Sequence, residues 1–335
     1  SQAELLELDA EWRANIKRQF VPLKQREWLR TRPPERKMLL EYGGKRNAGG
    51  EYVREPQDVL GQGIVAMLAA TGGVGKTQAL IQLALAVASG TPWLDQFEVC
   101  APGHVALVLA EESEEEVWRR LWQSVRRLGL KQHLDTLEKR IWPLVLRGTN
   151  CRFVDPQTGE FSRAFVDFRE ALAEADVDWR LLILDPASRL MPIDAEVDNQ
   201  IATDFIAMLE MLTRISTSKP TVLVAHHTRK HGTGKVGVRG ASALTDGVRW
   251  LATLNPYGVD EENGVDPDGR GRVLLEIQKS NYSEPTLAVK VAFDTHGIMR
   301  ELTPSQRASE SEPSARRART SSPSGSRLTA TAFDM

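Results

Sequence analysis

Short apolar runs alternate with segments of helical periodicity between about residues 60 and 250 of the chain. The runs of strand length are Ile64 to Ala69, Val105 to Leu109, Leu181 to Leu184 and Val222 to Ala225. The helical patterns are Lys76 to Ser89, a segment with Trp118, Leu121, Trp122 and Val125 on one face, and Ile201 to Ile215. Alternation of this kind predicts an α/β fold with a mostly parallel sheet and flanking helices.

The pattern changes after Gly247. Three strand-like runs follow, with turn-rich segments between them and no helical pattern: Val248 to Leu254, Val273 to Gln278 and Leu287 to Phe293. We therefore expect the sheet to end in antiparallel strands.

The two ends of the chain differ from this core. Residues 1–55 are rich in charge and are interrupted by Pro33, Pro34 and four glycines, which predicts one helix followed by an irregular arm. Residues 304–335 consist mainly of Ser, Pro, Arg and Ala without periodicity, which predicts a disordered tail. The sequence thus divides into an arm at 1–55, an ATPase-type core at 56–303 and a tail at 304–335.

Composition and charge narrow the class of protein. The 335 residues are 41% hydrophobic, and no run approaches 18 apolar residues, so we expect a cytoplasmic globular protein without a membrane segment. The formal net charge is -2, so nucleic-acid binding would require local basic patches. The two cysteines, Cys100 and Cys151, have no partners at metal spacing and are expected to be buried thiols.

Residues 70 to 77, Ala-Thr-Gly-Gly-Val-Gly-Lys-Thr, follow an apolar strand and precede a helix. Glycine-rich loops in this context hold phosphates with backbone N–H groups, while the lysine reaches the β and γ phosphates and the hydroxyl ligates Mg²⁺. ATP and Mg²⁺ are therefore the expected cofactors. The consensus has Gly at the first position, where this chain has Ala70. We assign nucleotide binding to Gly72, Gly73, Val74, Gly75, Lys76, Thr77 and Gln78.

A carboxylate ends the apolar run Leu181 to Leu184. Asp185 at this place is expected to hold Mg²⁺ together with Thr77. Because Pro186 follows Asp185, the residue that activates water must come from another strand.

Glu111 follows the strand Val105 to Leu109 and is the candidate base. Alternatively, Glu111 and Glu112 only begin the acidic first turn of the next helix, as Glu114, Glu115 and Glu116 do. The strand Val222 to Ala225 ends in His226 and His227, either of which offers a hydrogen bond to a γ-phosphate.

These residues resemble the RecA-like hexameric ATPases of the plasmid replicative helicase RepA type, which are related to DnaB. The match covers about residues 60 to 290. It is carried by six motifs: Gly-Gly-Val-Gly-Lys-Thr at 72–77, Leu-Ala-Glu-Glu at 109–112, Leu-Asp-Pro at 184–186, His-His at 226–227, Arg-Gly-Ala-Ser-Ala-Leu at 239–244 and Lys-Ser-Asn-Tyr at 279–282.

The resemblance implies a ring whose active sites lie between subunits, with Glu111 catalytic and His227 a sensor of the γ-phosphate. Arg239 resembles the arginine finger supplied to the neighbouring site, and Lys279 the lysine that accompanies it. Arg239 is alternatively a DNA-phosphate contact, Lys279 a solvated strand residue, and Arg249 a weaker candidate for the finger.

The resemblance also implies loops that line a central channel. Arg229, Lys230 and Lys235 lie in a glycine-rich basic segment, and Arg189 lies in the segment Ala187 to Asp198. These four residues are expected to contact the phosphates of single-stranded DNA without sequence preference, since aromatic residues are absent from the basic segment. An ordinary surface loop is the alternative for the basic segment.

The arm is not covered by the resemblance. Its apolar residues, Trp28, Leu29 and Met38 to Leu40, would pack either on an adjacent subunit or on the core of the same chain.

Three functions are consistent with these features. The first is a homo-oligomeric, hexameric ATP-driven DNA helicase for plasmid, phage or mobile-element replication, with a primase or an initiator protein as a possible partner. The second is a RecA-like regulatory or remodelling ATPase of the KaiC or recombination-mediator kind. The third is a nucleotide-gated DNA-binding module with negligible turnover.

Overall fold

The computed structural model of the chain describes residues 14, 16–46, 52–155, 158–227, 242–256, 271–282 and 287–302. They belong to two compact units, Ser1–Lys37 and Met38–Met335. The first unit contains helical residues 16–19 and the short helix α1 (Leu23–Arg26). Phe20, Trp28 and Leu29 of this unit are exposed.

The second unit is built on a large sheet, to which nine strands contribute among the described residues. Their bounds are β5 (Val65–Ala70), β7 (His104–Leu109), β8 (Ile141–Val145), β9 (Trp179–Asp185), β10 (Thr221–His227), β11 (Trp250–Pro256), β12 (Arg272–Ser280), β13 (Ala288–Phe293) and β14 (Met299–Glu301). The spatial order of the strands is β14-β13-β12-β11-β5-β10-β9-β7-β8.

The direction of the strands confirms the predicted fold class. The six strands from β11 to β8 pair in parallel, whereas β12, β13 and β14 pair antiparallel. Strands β5, β9 and β10 are buried almost throughout, because helices cover both faces of a parallel sheet.

Two apolar clusters form the core, one on each face of the sheet. The first contains α2 (Lys76–Ser89) and buried residues of α3 (Glu114–Arg127) and α4 (Leu134–Arg140). The second contains buried residues of α5 (Arg163–Glu174), α6 (Ala187–Leu190), α7 (Asn199–Leu212) and α8 (Ser242–Gly247). Two 3₁₀ turns, Leu130–His133 and Ile193–Glu196, complete the helical segments in the part of the chain that is described.

A small antiparallel sheet belongs to the first cluster. It consists of β1 (Met38–Tyr42), β4 (Gln57–Gly61) and β6 (Phe97–Val99), in the order β4-β1-β6. Leu39 and Leu40 are fully buried in it, so the apolar residues that end the predicted arm pack within the second unit itself. A separate hairpin pairs β2 (Lys45–Arg46) with β3 (Tyr52–Arg54). The domain boundaries at 55 and 303 stay predictions.

Both cysteines are free thiols. The expectation of a buried thiol is confirmed for Cys151 and is wrong for Cys100, which is exposed because it lies just beyond β6, at the surface of the small sheet. Among the described residues, no helix has the length and apolar character needed to cross a membrane. The predicted tail at 304–335 lies outside the described residues.

Candidate nucleotide-binding and hydrolysis site

The carboxyl ends of four parallel strands meet at one edge of the sheet. Leu109 of β7 is aligned with Asp185 of β9, and His227 of β10 is aligned with Ala70 of β5. Ala110 extends the pairing, since its N–H donates to the carbonyl oxygen of Asp185 at 2.8 Å. The residues that follow or end these strands therefore share one edge, which is where ligands bind in open α/β sheets.

The loop from β5 to α2 has the backbone conformation of a phosphate cradle. Gly73 and Gly75 have φ angles of +83° and +92°, which side-chain-bearing residues rarely adopt. At Gly75 a Cβ atom would also lie 2.4 Å from Cζ of Phe293, so this position accepts glycine only. Ala70 is the last residue of β5 and has no positive φ, which explains why the loop tolerates alanine there.

Lys76, Thr77 and Asp185 meet beneath this loop. The Thr77 hydroxyl donates to Oδ2 of Asp185 at 2.7 Å, and Nζ of Lys76 lies 3.8 Å from Oδ1 of the same carboxylate. Lys76 is only 5% exposed, and its Nζ has no hydrogen-bond acceptor among the described residues. A buried ammonium in this situation is poised to receive an anionic ligand.

Burial shifts the pKa of both charged groups. It lowers the pKa of Lys76 and raises the pKa of Asp185, while the attraction between the two opposes each shift. The charge of Glu111 acts on both groups, and that of His227 acts on Asp185. The four side chains thus form one electrostatic cluster, as the sequence predicted for the ends of these strands.

Glu111 lies outside the helix that follows it. The N-cap of α3 is Ser113, whose hydroxyl accepts from the N–H of Glu116, and the acidic first turn is Glu114 to Glu116. Oε1 of Glu111 accepts from Nε of Arg189 at 3.1 Å, and its Oε2 lies 3.7 Å from Nε2 of His227. The geometry therefore directs Glu111 towards the strand ends.

Glu112 has a different environment. Its carboxylate pairs with Arg120 on α3 at 3.1 Å, so it belongs to the ion pairs at the start of that helix.

The two histidines at the end of β10 are not equivalent. His226 is 1% exposed within the sheet, whereas His227 is 42% exposed at the strand edge. Burial, and next the charge of Lys76, lower the pKa of His227 below its ordinary value. His227 is consequently neutral at neutral pH and can donate or accept a hydrogen bond without carrying a charge.

Gln78 points away from the loop. Its Nε2 donates to Oγ of Ser124 on α3 at 3.0 Å, so only its backbone is directed to the nucleotide side.

The sequence analysis did not identify Gln82, one turn further along α2. Its side chain exchanges two hydrogen bonds of 2.9 Å with the backbone of Met299 and thereby fixes α2 against β14. Two glutamines four residues apart in an otherwise apolar helix were the available signal.

Lys279 lies on β12 and is bonded within its own chain. Its Nζ donates to the carbonyl oxygens of Thr245 at 3.1 Å and Asp246 at 2.7 Å, near the end of α8. Burial lowers its pKa. This half-buried, bonded lysine differs from the solvated strand residue that was the alternative interpretation.

Four of the predicted residues, Arg229, Lys230, Lys235 and Arg239, lie outside the described residues. Arg189 is described and is 59% exposed at the edge that carries Glu111. Arg249, the alternative finger, is exposed just before β11.

The chemistry of the site fits a magnesium-bound triphosphate. The open space beside Gly72 and Gly73, the buried Nζ of Lys76 without an acceptor, and the adjacent hydroxyl and carboxylate of Thr77 and Asp185 are the donor set that such a ligand requires. No group of three or more His, Cys, Asp or Glu able to hold a metal occurs among the described residues. That agrees with Mg²⁺, which takes one or two protein oxygens and otherwise water and phosphate.

Residues 21–233 match the family model AAA_25, described as an AAA domain. The chain belongs to the AAA_25 family. Among solved structures, the ATPase domain of a DnaB-like helicase is similar to this AAA_25 chain, with a TM-score of 0.50 and 14% identity over 72% of this chain and 85% of that chain. At this identity the likeness establishes the fold, a RecA-like P-loop NTPase.

The family match and the fold together make this AAA_25 member a P-loop ATPase. The finer resemblance to RepA-type helicases stays a prediction.

Proposed function

We propose that this chain is the ATP-hydrolysing motor of a DnaB-type DNA helicase that acts as a hexameric ring on single-stranded DNA during plasmid, phage or mobile-element replication. One observation carries the proposal: Glu111 and His227 lie 3.7 Å apart at the strand edge that also holds Lys76 and Asp185. A base, a neutral hydrogen-bonding sensor and a phosphate-binding lysine at one edge are the parts that coupled hydrolysis requires.

The residues of the loop would divide the work by their chemistry. Backbone N–H groups at the start of α2 and the Lys76 ammonium would hold the phosphates, whose charge compensates the burial of that ammonium. Thr77 and Asp185 would hold Mg²⁺, which when bound neutralises charge on the phosphate oxygens. Glu111 would accept a proton from the attacking water, and His227 would donate to the terminal phosphate.

A regulatory or remodelling ATPase without unwinding activity is the second candidate. The observations at the strand edge concern hydrolysis, so they support both candidates equally. The likeness in fold to a helicase ATPase domain favours the motor, because that domain serves the activity that distinguishes the first candidate from the second.

Strand displacement separates the two candidates. With ATP and Mg²⁺, the motor is expected to displace the labelled strand of a forked DNA duplex, and the Lys76→Ala variant is expected to displace none. Hydrolysis without displacement on forks of either polarity would leave the regulatory ATPase and exclude the motor.

The trans arrangement of Arg239 gives a second prediction. An arginine supplied to a neighbouring site contributes about 10³- to 10⁵-fold to kcat in related phosphoryl-transfer enzymes. When Arg239→Ala protein is mixed into wild-type protein, each variant subunit should silence its neighbour's site, so activity should fall faster than the wild-type fraction. Arg249→Ala is the matched comparison, and a strictly proportional decline with Arg239→Ala would argue that the residue acts within its own subunit.

A further inference from the structure

Both carboxylate oxygens of Glu111 face side chains of the same strand edge. Oε1 accepts from Nε of Arg189 at 3.1 Å and Oε2 faces Nε2 of His227 at 3.7 Å. A general base must present an oxygen to the water that it deprotonates. The pair with Arg189 is therefore a resting arrangement that withholds one oxygen of the proposed base.

Arg189 belongs to two places at once. It lies on α6, which begins two residues after Asp185, and α6 opens the segment Ala187 to Asp198 that we propose contacts DNA. Its guanidinium nevertheless reaches the strand edge at Glu111. One side chain thus spans the distance between the proposed base and the proposed DNA contact.

The backbone at Arg189 is anchored while its side chain is accessible. The N–H of Phe153 donates to the carbonyl oxygen of Leu190 at 2.7 Å, and the Arg152 guanidinium donates to the carbonyl oxygen of Met191. The Arg189 side chain is 59% exposed and its partner Glu111 is 42% exposed. Exchange of partners at Arg189 therefore requires only rotation of an exposed side chain, which is fast compared with hydrolysis.

We infer that Arg189 is a latch on Glu111, which the phosphate backbone of single-stranded DNA opens by taking the guanidinium. Arg189 is a positioning residue here, since it acts through Glu111. The inference rests on the proposed function and adds the means by which DNA would accelerate hydrolysis.

The strengths of the two contacts favour such an exchange. An exposed ion pair of this kind shifts an equilibrium by only about two- to fivefold. A guanidinium binds phosphate with two parallel charge-assisted hydrogen bonds, which are stronger than the single Nε contact to Glu111. A strand held at several phosphates would therefore outcompete Glu111 for this side chain.

Steady-state ATP hydrolysis by the full chain, without DNA and with saturating oligo(dT), tests the latch. Arg189→Ala is expected to raise the DNA-free kcat by about two- to fivefold and to leave KM for ATP unchanged. The DNA-saturated kcat should stay near the wild-type value, so the stimulation ratio falls by the same factor. Arg189→Lys retains a cation that can pair with either partner, and it should restore a low basal rate and part of the stimulation.

Arg163→Ala is the matched control. Arg163 is another exposed arginine in an ion pair, with Asp167 on α5 at 2.7 Å, and it should change neither rate.

The outcomes also separate this inference from the proposed function. If the wild type is stimulated by oligo(dT) but Arg189→Ala has an unchanged or lower basal kcat, the latch is wrong and the motor stands. If the wild type hydrolyses ATP at a rate that oligo(dT) does not alter, the latch and the DNA part of the proposed function both fail.

Discussion

Replacing Lys76 with alanine is expected to lower kcat/KM for ATP by at least about 10²- to 10³-fold, the cost of removing one preorganised charge from a phosphoryl-transfer site. Lys76 is 5% exposed, and its Nζ lacks a hydrogen-bond acceptor among the described residues. The substitution removes a cation that interacts with both Asp185 and Glu111. Initial rates with saturating Mg²⁺ and a titration with ATP measure the loss.

The same substitution tests how the buried pair affects folding. Without Lys76, Asp185 keeps its bond from Thr77 but loses the charge 3.8 Å away, and breaking a buried pair in this way costs about 3–5 kcal/mol. Lys76→Met retains the aliphatic stem, so a thermal melt of both variants separates a folding defect from a catalytic one. Lys139→Ala, at an exposed position of α4, is the control that should retain activity. Near-normal hydrolysis by a folded Lys76→Met protein would mean that the phosphate site lies elsewhere.

Glu111→Gln is expected to lower kcat by about 10²- to 10⁴-fold, the usual contribution of a general base. Glutamine has nearly the same shape and still accepts hydrogen bonds, so the contact with Arg189 and the binding of ATP should survive. Calorimetric titration with ATP should give a wild-type affinity while turnover is lost. That combination is the signature of a base, since a residue needed only for binding or folding would change the affinity as well.

Glu114→Gln provides the comparison for Glu111. Glu114 lies in the first turn of α3 and is exposed, where a carboxylate contributes only to the stability of that helix. Its replacement should leave kcat within about twofold of wild type, in line with the small value of a surface charge at a helix start. Equal kcat values for the Glu111 and Glu114 variants would return Glu111 to the helix-start interpretation and would require another base.

Local signals predicted the central strands and the phosphate loop from the sequence. The run Leu181 to Leu184 ends in a carboxylate, and the glycines at 73 and 75 occur where positive φ angles are needed. Each of these features lies within a few consecutive residues, so it is visible without knowledge of the fold. Helix α2 was predicted with its observed bounds for the same reason.

The strands that the sequence did not reveal depend on distant partners. Met38 to Leu40 are buried because β1 pairs with β4 and β6, which lie about twenty and sixty residues further along. Strand β8 was missed because Pro143 interrupts it and it is an edge strand with exposed Trp142 and Leu144.

Side-chain directions were the least predictable part. The helical pattern at Trp118 and Trp122 predicts an apolar face, yet both tryptophans are exposed, and Val117 and Ser124 are the buried positions of α3. The contact between Glu111 and Arg189 joins residues 78 positions apart in the sequence. Only the register of β7 and β9 brings them together, and no local motif records that register.

The central claim is that this site hydrolyses ATP in response to single-stranded DNA. The most direct measurement is the steady-state rate of ATP hydrolysis by the wild-type full chain, with Mg²⁺, in the absence and presence of oligo(dT). The structure leads us to expect a low basal rate that rises with oligo(dT) to saturation and vanishes in Glu111→Gln protein under both conditions. A wild-type rate that oligo(dT) leaves unchanged, or a Glu111→Gln rate equal to that of the wild type, would contradict the account.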